Sequence, residues 1–531
     1  MPVEVLNLGQ EPRAEKLDDP QERSLTRRAS LNVAQSLLDY SVKLAVGLII
    51  VPILVSGLGR SLFGVWEMLG RLVGFLESAE GRSTQALRLI ISNQQSSDDR
   101  AAKRRWIGGA VAVWLCFLPL WLAVGAVLIW LAPTITKVPP ELHATVRVAC
   151  VLMMGAVLLA GLGSLPESVL RGMNLGYKRM GLQAGLSLVG GVLLAGAVYG
   201  GLGLVGVAGA GLVLTVLTGL CFLVLVGRQV PWFGAERPRR AEVGSLLRMS
   251  LWIALGDAVA NLRASDVLVL GMVMSASAVT TYVLTGYATR LAVNLHSLAA
   301  EAVMPGLAGV IGEKGFERAA LLRRELLAVT GIFVTAVGST ILLWNQSFVH
   351  LWVGGENYAG AWVNLLLVLI AVQSAFIRCD AYLIDAALQP RRRVQVSLVA
   401  GALTLALTIV LTWRAGMVGL CLGILAGRTT QTILYPVLVG QCLNRTPALS
   451  LRWVARPLVV MSVLFAISAY LGQRLLMDHW LVWIAAVLLT LALVFVIAVG
   501  SGLPADLRHR VLARLRDMAG RRGSRRGGSD T

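Results

Sequence analysis

The sequence predicts an all-α polytopic membrane protein of about fourteen transmembrane helices, arranged as two six-helix lobes around a central cavity plus two C-terminal helices. Three observations carry the class. Hydrophobic residues make up 56% of the 531-residue chain and charged residues only 15%, against about 45–50% and about 25% in soluble domains. The apolar residues fall in blocks of about twenty or more, long enough to cross roughly 30 Å of hydrocarbon as helix. The blocks run continuously instead of alternating polar with apolar, which excludes barrel strands, the other structure able to span lipid. An ordinary soluble enzyme, a disordered chain and a disulfide-stapled secreted domain are excluded together.

The blocks justify the count in order. They lie near 30–57, 61–91, 106–132, 143–168, 177–200, 203–227, 245–272, 278–310, 322–344, 360–386, 393–413, 416–440, 454–473 and 479–502. The organisation that follows is a cytoplasmic N-terminal arm (1–29), a first bundle (30–227), a cytoplasmic linker (228–244), a second bundle (245–440), two further spans (441–502) and a basic cytoplasmic tail (503–531). The arm is polar and of mixed charge, without a signal peptide.

The net charge of +19 suggests nucleic-acid binding until the charges are placed. Of the 48 lysines and arginines, 35 fall in segments that are inside if the N-terminus is cytoplasmic. Outside loops hold four (Arg60, Lys137, Arg414 and Arg474), and the other nine lie within spans. This asymmetry fixes the expected orientation, with both termini cytoplasmic. It accounts for the basic charge through membrane lipids, with the tail's Arg521, Arg522, Arg525 and Arg526 against anionic headgroups, and without nucleic acid. Cys116, Cys150, Cys221, Cys379, Cys421 and Cys442 are scattered through apolar blocks with no CxxC or CxxH spacing, and read as packing residues rather than metal ligands.

A short internal repeat joins the bundles. Asp39 is followed by Arg71, in Gly70-Arg71-Leu72, and Asp257 by Arg290, in Thr289-Arg290-Leu291, at closely matching spacing. Parallel repeats of this kind place a substrate path between them.

Ionisable groups at membrane depth are costly and face a cavity or one another. On span one, Asn32, Gln35, Asp39 and Lys43 share a helical face. Span two puts Glu67 four residues before Arg71, and a helix continuing past Glu80-Gly81 would add Arg82 and Gln85. Span eight aligns Tyr287, Arg290, Asn294 and Glu301; span ten aligns Arg378 and Asp385. On span seven Asp257 and Asn261 share one face and Arg263 and Asp266 the opposite one, and the sequence leaves open which pair meets the cavity. Asp39–Lys43 and Glu67–Arg71 have the spacing for local ion pairs. Stripes on helices of both bundles instead suit a water-filled cavity. Its cations Lys43, Arg71, Arg290, Arg263 and Arg378, with Asn261 and Asn294, form a candidate site for an anionic substrate, because guanidinium recognises phosphate bidentately. The carboxylates Asp39, Glu67, Asp257 and Glu301 are candidates for a coupling proton or Na⁺, or balance the arginines. No other cofactor is expected. The chain has no Walker A run, no GxSxG and only five histidines, of which His143, His350 and His479 fall at membrane boundaries and His296 reads as packed.

Several segments carry a resemblance. Leu58-Gly59-Arg60-Ser61-Leu62-Phe63-Gly64-Val65-Trp66, Leu165-Pro166-Glu167-Ser168-Val169-Leu170-Arg171-Gly172, Gly201-Leu202-Gly203-Leu204-Val205-Gly206, Ser265-Asp266-Val267-Leu268-Val269-Leu270-Gly271 followed by Tyr282, and Leu351-Trp352-Val353-Gly354 occur in that order. Together they resemble the Wzx-type polysaccharide flippases of the MOP superfamily, over residues 30–500. The resemblance implies two six-helix lobes around a V-shaped cavity working by alternating access. It also implies a polyprenyl-diphosphate-linked oligosaccharide substrate, moved across the bacterial inner membrane for cell-surface polysaccharide synthesis, with a polysaccharide polymerase and other assembly proteins as partners. Family members bind the diphosphate with cavity cations, which places Lys43, Arg71 and Arg290 in that role. One stretch departs from the pattern: Leu76-Glu77-Ser78-Ala79-Glu80-Gly81-Arg82 is charged where many members are apolar. The competing readings are a MATE-like cation-coupled exporter, favoured by twelve spans and a less cationic cavity, and a membrane enzyme of glycan polymerisation, expected to need a large external loop.

Overall fold

The computed structural model describes residues 20–79, 82–95, 97–175, 181–263, 265–313, 315–387, 389–443 and 451–502. Among the described residues every long element is a helix: α1 (Pro20–Ala79), α2 (Ser83–Asn93), α3 (Arg100–Thr136), α4 (His143–Gly172), α5 (Leu182–Tyr199), α6 (Gly203–Gln229), α7 (Arg240–Arg263), α8 (Asp266–Val273), α9 (Ala276–Thr285), α10 (Tyr287–Gly312), α11 (Phe316–Val353), α12 (Ala361–Ala386), α13 (Pro390–Cys442), α14 (Leu451–Gly472) and α15 (Trp480–Ile497). Ten are long and apolar enough to cross a membrane by length and composition.

Two of these helices are hairpins of two crossings each. A straight α1 of 60 residues would be about 90 Å long, three times a bilayer core. It bends at Gly59, whose φ of 73° and ψ of 166° are open only to glycine. In the same way α13 reverses at Ala415 and Gly416 (φ 56°, ψ −135°). The limbs of α13 meet through glycines spaced by four. A Cβ on Gly419 would come 1.9 Å from the Leu411 carbonyl oxygen, and Gly423 and Gly427 sit equally hard against Thr408 and Thr404. Lipid offers no hydrophobic drive for helices to associate, so such close backbone approach supplies the packing. Four shorter helices make the two polar crossings, α7 with α8 and α9 with α10. Their break at Met274–Ser275 is capped by the Ser275 hydroxyl, which accepts from the Ala278 amide at 3.2 Å. The crossings number six in α1 and α3–α6, six in α7–α13, and two in α14 and α15.

The expected linker is shorter than predicted, because α6 runs to Gln229 and α7 starts at Arg240. Its residues are docked on α3. Arg104 donates to the Trp232 carbonyl at 2.8 Å, and the Glu236 amide donates to the Arg104 carbonyl at 3.2 Å. Buried Lys103 donates to the Ser97 carbonyl at 2.8 Å and lies over the Trp232 ring. Exposed Trp130, Tyr199, Trp362 and Trp413 stand at the helix ends predicted to face outside, the position of an interfacial aromatic belt.

Candidate functional site: the cleft between the lobes

The two lobes meet along two antiparallel seams, both involving α1. The second limb of α1 pairs with α7, α8 and the start of α9. At its outer end Arg60 donates to the Thr281 hydroxyl at 2.9 Å, and the Thr280 hydroxyl donates to the Arg60 carbonyl at 2.6 Å. Gly64 then lies so close to α9 that a Cβ would come 1.8 Å from the Ala276 carbonyl oxygen, and Met68 packs on Gly271. Further in, the Asn261 amide donates to the Gly74 carbonyl at 2.8 Å, and Arg82 Nε meets Asp257 Oδ2 at 2.6 Å. On the other seam, Trp352 Nε1 donates to the Leu48 carbonyl at 2.7 Å, and the Tyr287 hydroxyl fills the space a Cβ on Gly47 would take. Phe63, Val65, Leu69 and Leu72 join Leu270, Val279 and Leu284 in one buried cluster at the outer half.

Below that seal lie most of the residues expected in the cavity. Lys43 is about 24 Å along the first limb from Gly59 and Arg71 about 18 Å along the second, so in the orientation expected from the sequence both lie in the inner half of the bilayer. Lys43, Asn294 and Glu301 are exposed, and Glu67, Arg71 and Arg290 half-buried, although all six lie within helices that cross the membrane. Neither local ion pair forms: Lys43, Glu67 and Arg71 make no hydrogen bond or ion pair among the described residues. Asp39 is buried on α1. Arg290 donates to the Val283 carbonyl across the kink between α9 and α10. Among the described residues, Lys43 and Arg71 on the two limbs of α1 and Arg290 on α10 have no carboxylate partner.

Other expectations resolve differently. Asp257 and Asn261 are taken up in the seam, Asp257 as the inter-lobe ion-pair partner of Arg82 and Asn261 as a donor to the Gly74 carbonyl. Asp266 turns into the second lobe, where the Tyr282 hydroxyl donates to its Oδ2 at 2.8 Å. The Arg263 side chain, with those of Asn32 and Gln35, lies outside the described residues. Arg82 does not extend the Glu67–Arg71 stripe. The helix is interrupted after Ala79, Arg82 takes the left-handed conformation before α2, and its guanidinium turns to Glu77 and Asp257. Asp385 pairs with Arg393 at 2.8 Å, leaving Arg378 exposed and alone on its face. His296 is packed, with Nε2 3.0 Å from the Thr330 hydroxyl.

The sequence reading missed Arg428. It donates to the Ser374 hydroxyl at 2.7 Å and lies near enough to Asp266, Tyr282 and Arg378 for their charges to act on it. Beside it Gln373 donates to the Leu425 carbonyl at 3.1 Å. The signal was present in the sequence: Arg428 is the one charge in the block 416–440. The second lobe thus has a polar interior of its own, joining α8, α9, α12 and α13.

These helices form two bundles of six crossings that meet along α1, with two further helices at the end. Among solved structures the chain is similar to a lipid II flippase MurJ in an inward closed conformation, at 12% identity and TM-score 0.66, over 88% of this chain and 98% of that one. It is also similar to a multidrug resistance MATE family transporter of the MOP superfamily. The inward-facing form aligns at 14% identity and TM-score 0.60 (77% and 99% of the two chains), the outward-facing form at 16% and 0.55 (78% and 95%). No protein-family model matches the sequence, and no curated protein does.

Proposed function

We propose that the protein is a flippase that carries a polyprenyl-diphosphate-linked oligosaccharide from the inner to the outer leaflet of a bacterial inner membrane, for cell-surface polysaccharide synthesis. The observation that supports this reading is that Lys43, Arg71 and Arg290, on helices of both lobes at membrane depth, have no carboxylate partner among the described residues. Unpaired guanidinium at membrane depth is expensive, and a diphosphate supplies the missing charge through bidentate hydrogen bonds. The lipid tail stays in the bilayer while the headgroup enters the cleft. Rocking of the lobes about the outer seal then delivers it outward, as alternating access requires.

A second reading, a cation-coupled small-molecule exporter, draws on Glu67 and Glu301, carboxylates without a basic partner in the same cleft. In the flippase reading the same groups, with Asp39, take the coupling proton or Na⁺. The resemblance adds a glycan polymerase and other assembly proteins as partners, with both termini in the cytoplasm. The deciding experiment follows lipid-linked oligosaccharide in a strain lacking the protein. Accumulation on the cytoplasmic leaflet, relieved by restoring the gene, is the result expected. Unpolymerised glycan on the outer leaflet points to a downstream enzyme, and unchanged glycans move the reading to small-molecule export.

A further inference from the structure

The charged departure at 76–82 is absorbed by neither the fold nor the cation cluster. The limb of α1 that leads to Arg82 runs about 30 Å from Gly59 to Ala79, the thickness of a hydrocarbon layer of roughly 30 Å, which in the expected orientation puts Arg82 at the inner boundary. Its guanidinium is shared between carboxylates of two lobes: Nη2 is 3.2 Å from Glu77 Oε2 on α1, and Nε is 2.6 Å from Asp257 Oδ2 on α7. The side chains of Arg82, Glu77 and Asp257 are 25%, 45% and 33% exposed, while the two atoms in contact across the seam, Arg82 Nε and Asp257 Oδ2, are themselves buried. The backbone of Arg82 is left-handed, with φ 49° and ψ 34°, a conformation that costs a non-glycine residue free energy and that aims its side chain across the seam. Two other polar contacts join the lobes on this side among the described residues: Asn261 donates to the Gly74 carbonyl, and Arg105 on α3 donates to Glu242 on α7 at 3.0 Å.

We infer that Arg82 is an exchange latch: it closes the inner end of the seam by holding Asp257, and a phosphate-bearing lipid headgroup opens it by taking Asp257's place. This inference rests on the flippase reading and adds a substrate-contacting residue and a trigger to it. The asymmetry of the triad makes the exchange workable. When the lobes part, Arg82 keeps Glu77 and gains the headgroup oxygens, so no guanidinium is left without a counter-charge, and Asp257 is released into water. Lys43, Arg71 and Arg290 lie further inside and receive the headgroup next. The two carboxylates on one cation also keep Arg82 from binding small anions weakly and non-selectively, because a ligand must outcompete Asp257. A diphosphate, with two charged groups, does this better than a monophosphate.

The test is an inter-lobe distance. Full-length protein in a cysteine-free background, in lipid nanodiscs, is spin-labelled at Gln85 on α2 and Ser245 on α7, both exposed. Double electron–electron resonance is recorded alone, with inorganic pyrophosphate, and with geranylgeranyl diphosphate, whose binding is measured separately. The expected result is one short distance without ligand and a longer one with the diphosphate lipid. Asp257→Asn shows the longer distance without ligand. The double variant Arg82→Asp with Asp257→Arg restores the short distance by reversing the pair, yet needs about tenfold more diphosphate to open. Arg82→Lys, which keeps the charge, retains the short distance and shows that the position tolerates substitution. Opening by pyrophosphate as fully as by the lipid would identify the free anion as the trigger and overturn the lipid-headgroup assignment. Binding of the diphosphate lipid with no change in distance would sink the latch and leave the flippase reading intact. Absence of binding at any concentration would remove both.

Discussion

Charge partners were the least legible part of the sequence, residue by residue. Glu67 and Arg71 have the spacing of a helical ion pair and do not form one; a partly exposed pair of this kind is worth only a few tenths of a kcal/mol, too little to fix the two side chains together. Arg82 finds Asp257, on the other lobe, through a helix interruption that periodicity alone does not locate. Since Arg71 has no partner to lose, Arg71→Gln is expected to change stability by less than about 0.5 kcal/mol and to lower transport at least tenfold, the worth of about 1.5 kcal/mol in a charge-assisted bond. Arg290→Gln is expected to do the same to transport. Wild-type flux from both variants, with melting temperatures unchanged, would remove the headgroup assignment. Asp380 is the contrasting case. Buried, it takes two hydrogen bonds from Arg323 at 2.8 and 3.0 Å, tying α11 to α12. Asp380→Ala strands that guanidinium and is expected to cost about 3–5 kcal/mol, seen as lost folded protein rather than as a specific transport defect.

The individual helices were largely legible, because a span is a run of apolar residues and needs no knowledge of its neighbours. What the runs hid was how spans join. Spans one and two form a hairpin through one glycine, as do spans eleven and twelve through an Ala-Gly step, and only spacing at 419, 423 and 427 hinted at how closely the second pair packs. Gly423→Leu is expected to destabilise the protein by at least about 1–3 kcal/mol, since the Thr408 backbone cannot yield as a flexible side chain would; thermal unfolding in detergent measures it. Gly64 carries a different expectation. Its contact with Ala276 crosses the lobes, so Gly64→Val weakens the sealed outer seam and leaves each lobe folded. The variant is expected to label more readily with an impermeant thiol reagent at a cysteine placed at Arg71, added from outside. Unchanged labelling would mean that this seam is not the outer barrier.

For the whole molecule, the alternating-access reading turns on separation of the outer seam during each cycle. Cysteines in place of Arg60 and Thr280, where the Thr280 hydroxyl meets the Arg60 backbone carbonyl at 2.6 Å, are expected to cross-link under oxidation and stop lipid-linked glycan transport, with activity returning on reduction. Turnover that continues in the cross-linked protein would overturn rocking about this seam. The aromatic chain Tyr287, Trp352, Phe348 and Trp483, with ring centroids 4.5–5.5 Å apart, runs from the cleft to α15. The chain thus joins α15 to the inter-lobe contact that Trp352 makes with the Leu48 carbonyl.

What the sequence determined by itself is the solvent of the fold and the number of times the chain crosses it: hydropathy and the placing of arginines are properties of position along the chain. It also supplied the cleft's cations, since a charge in an apolar block is conspicuous wherever it ends up. The tertiary structure alone decided which of those charges are satisfied. Asp257 faces the other lobe and Asp266 its own, Arg428 joins a polar interior, and Lys43, Arg71 and Arg290 have no carboxylate partner among the described residues. That division depends on the register of two lobes whose paired residues, such as Gly74 and Asn261, are 187 positions apart, and no local pattern encodes such a register.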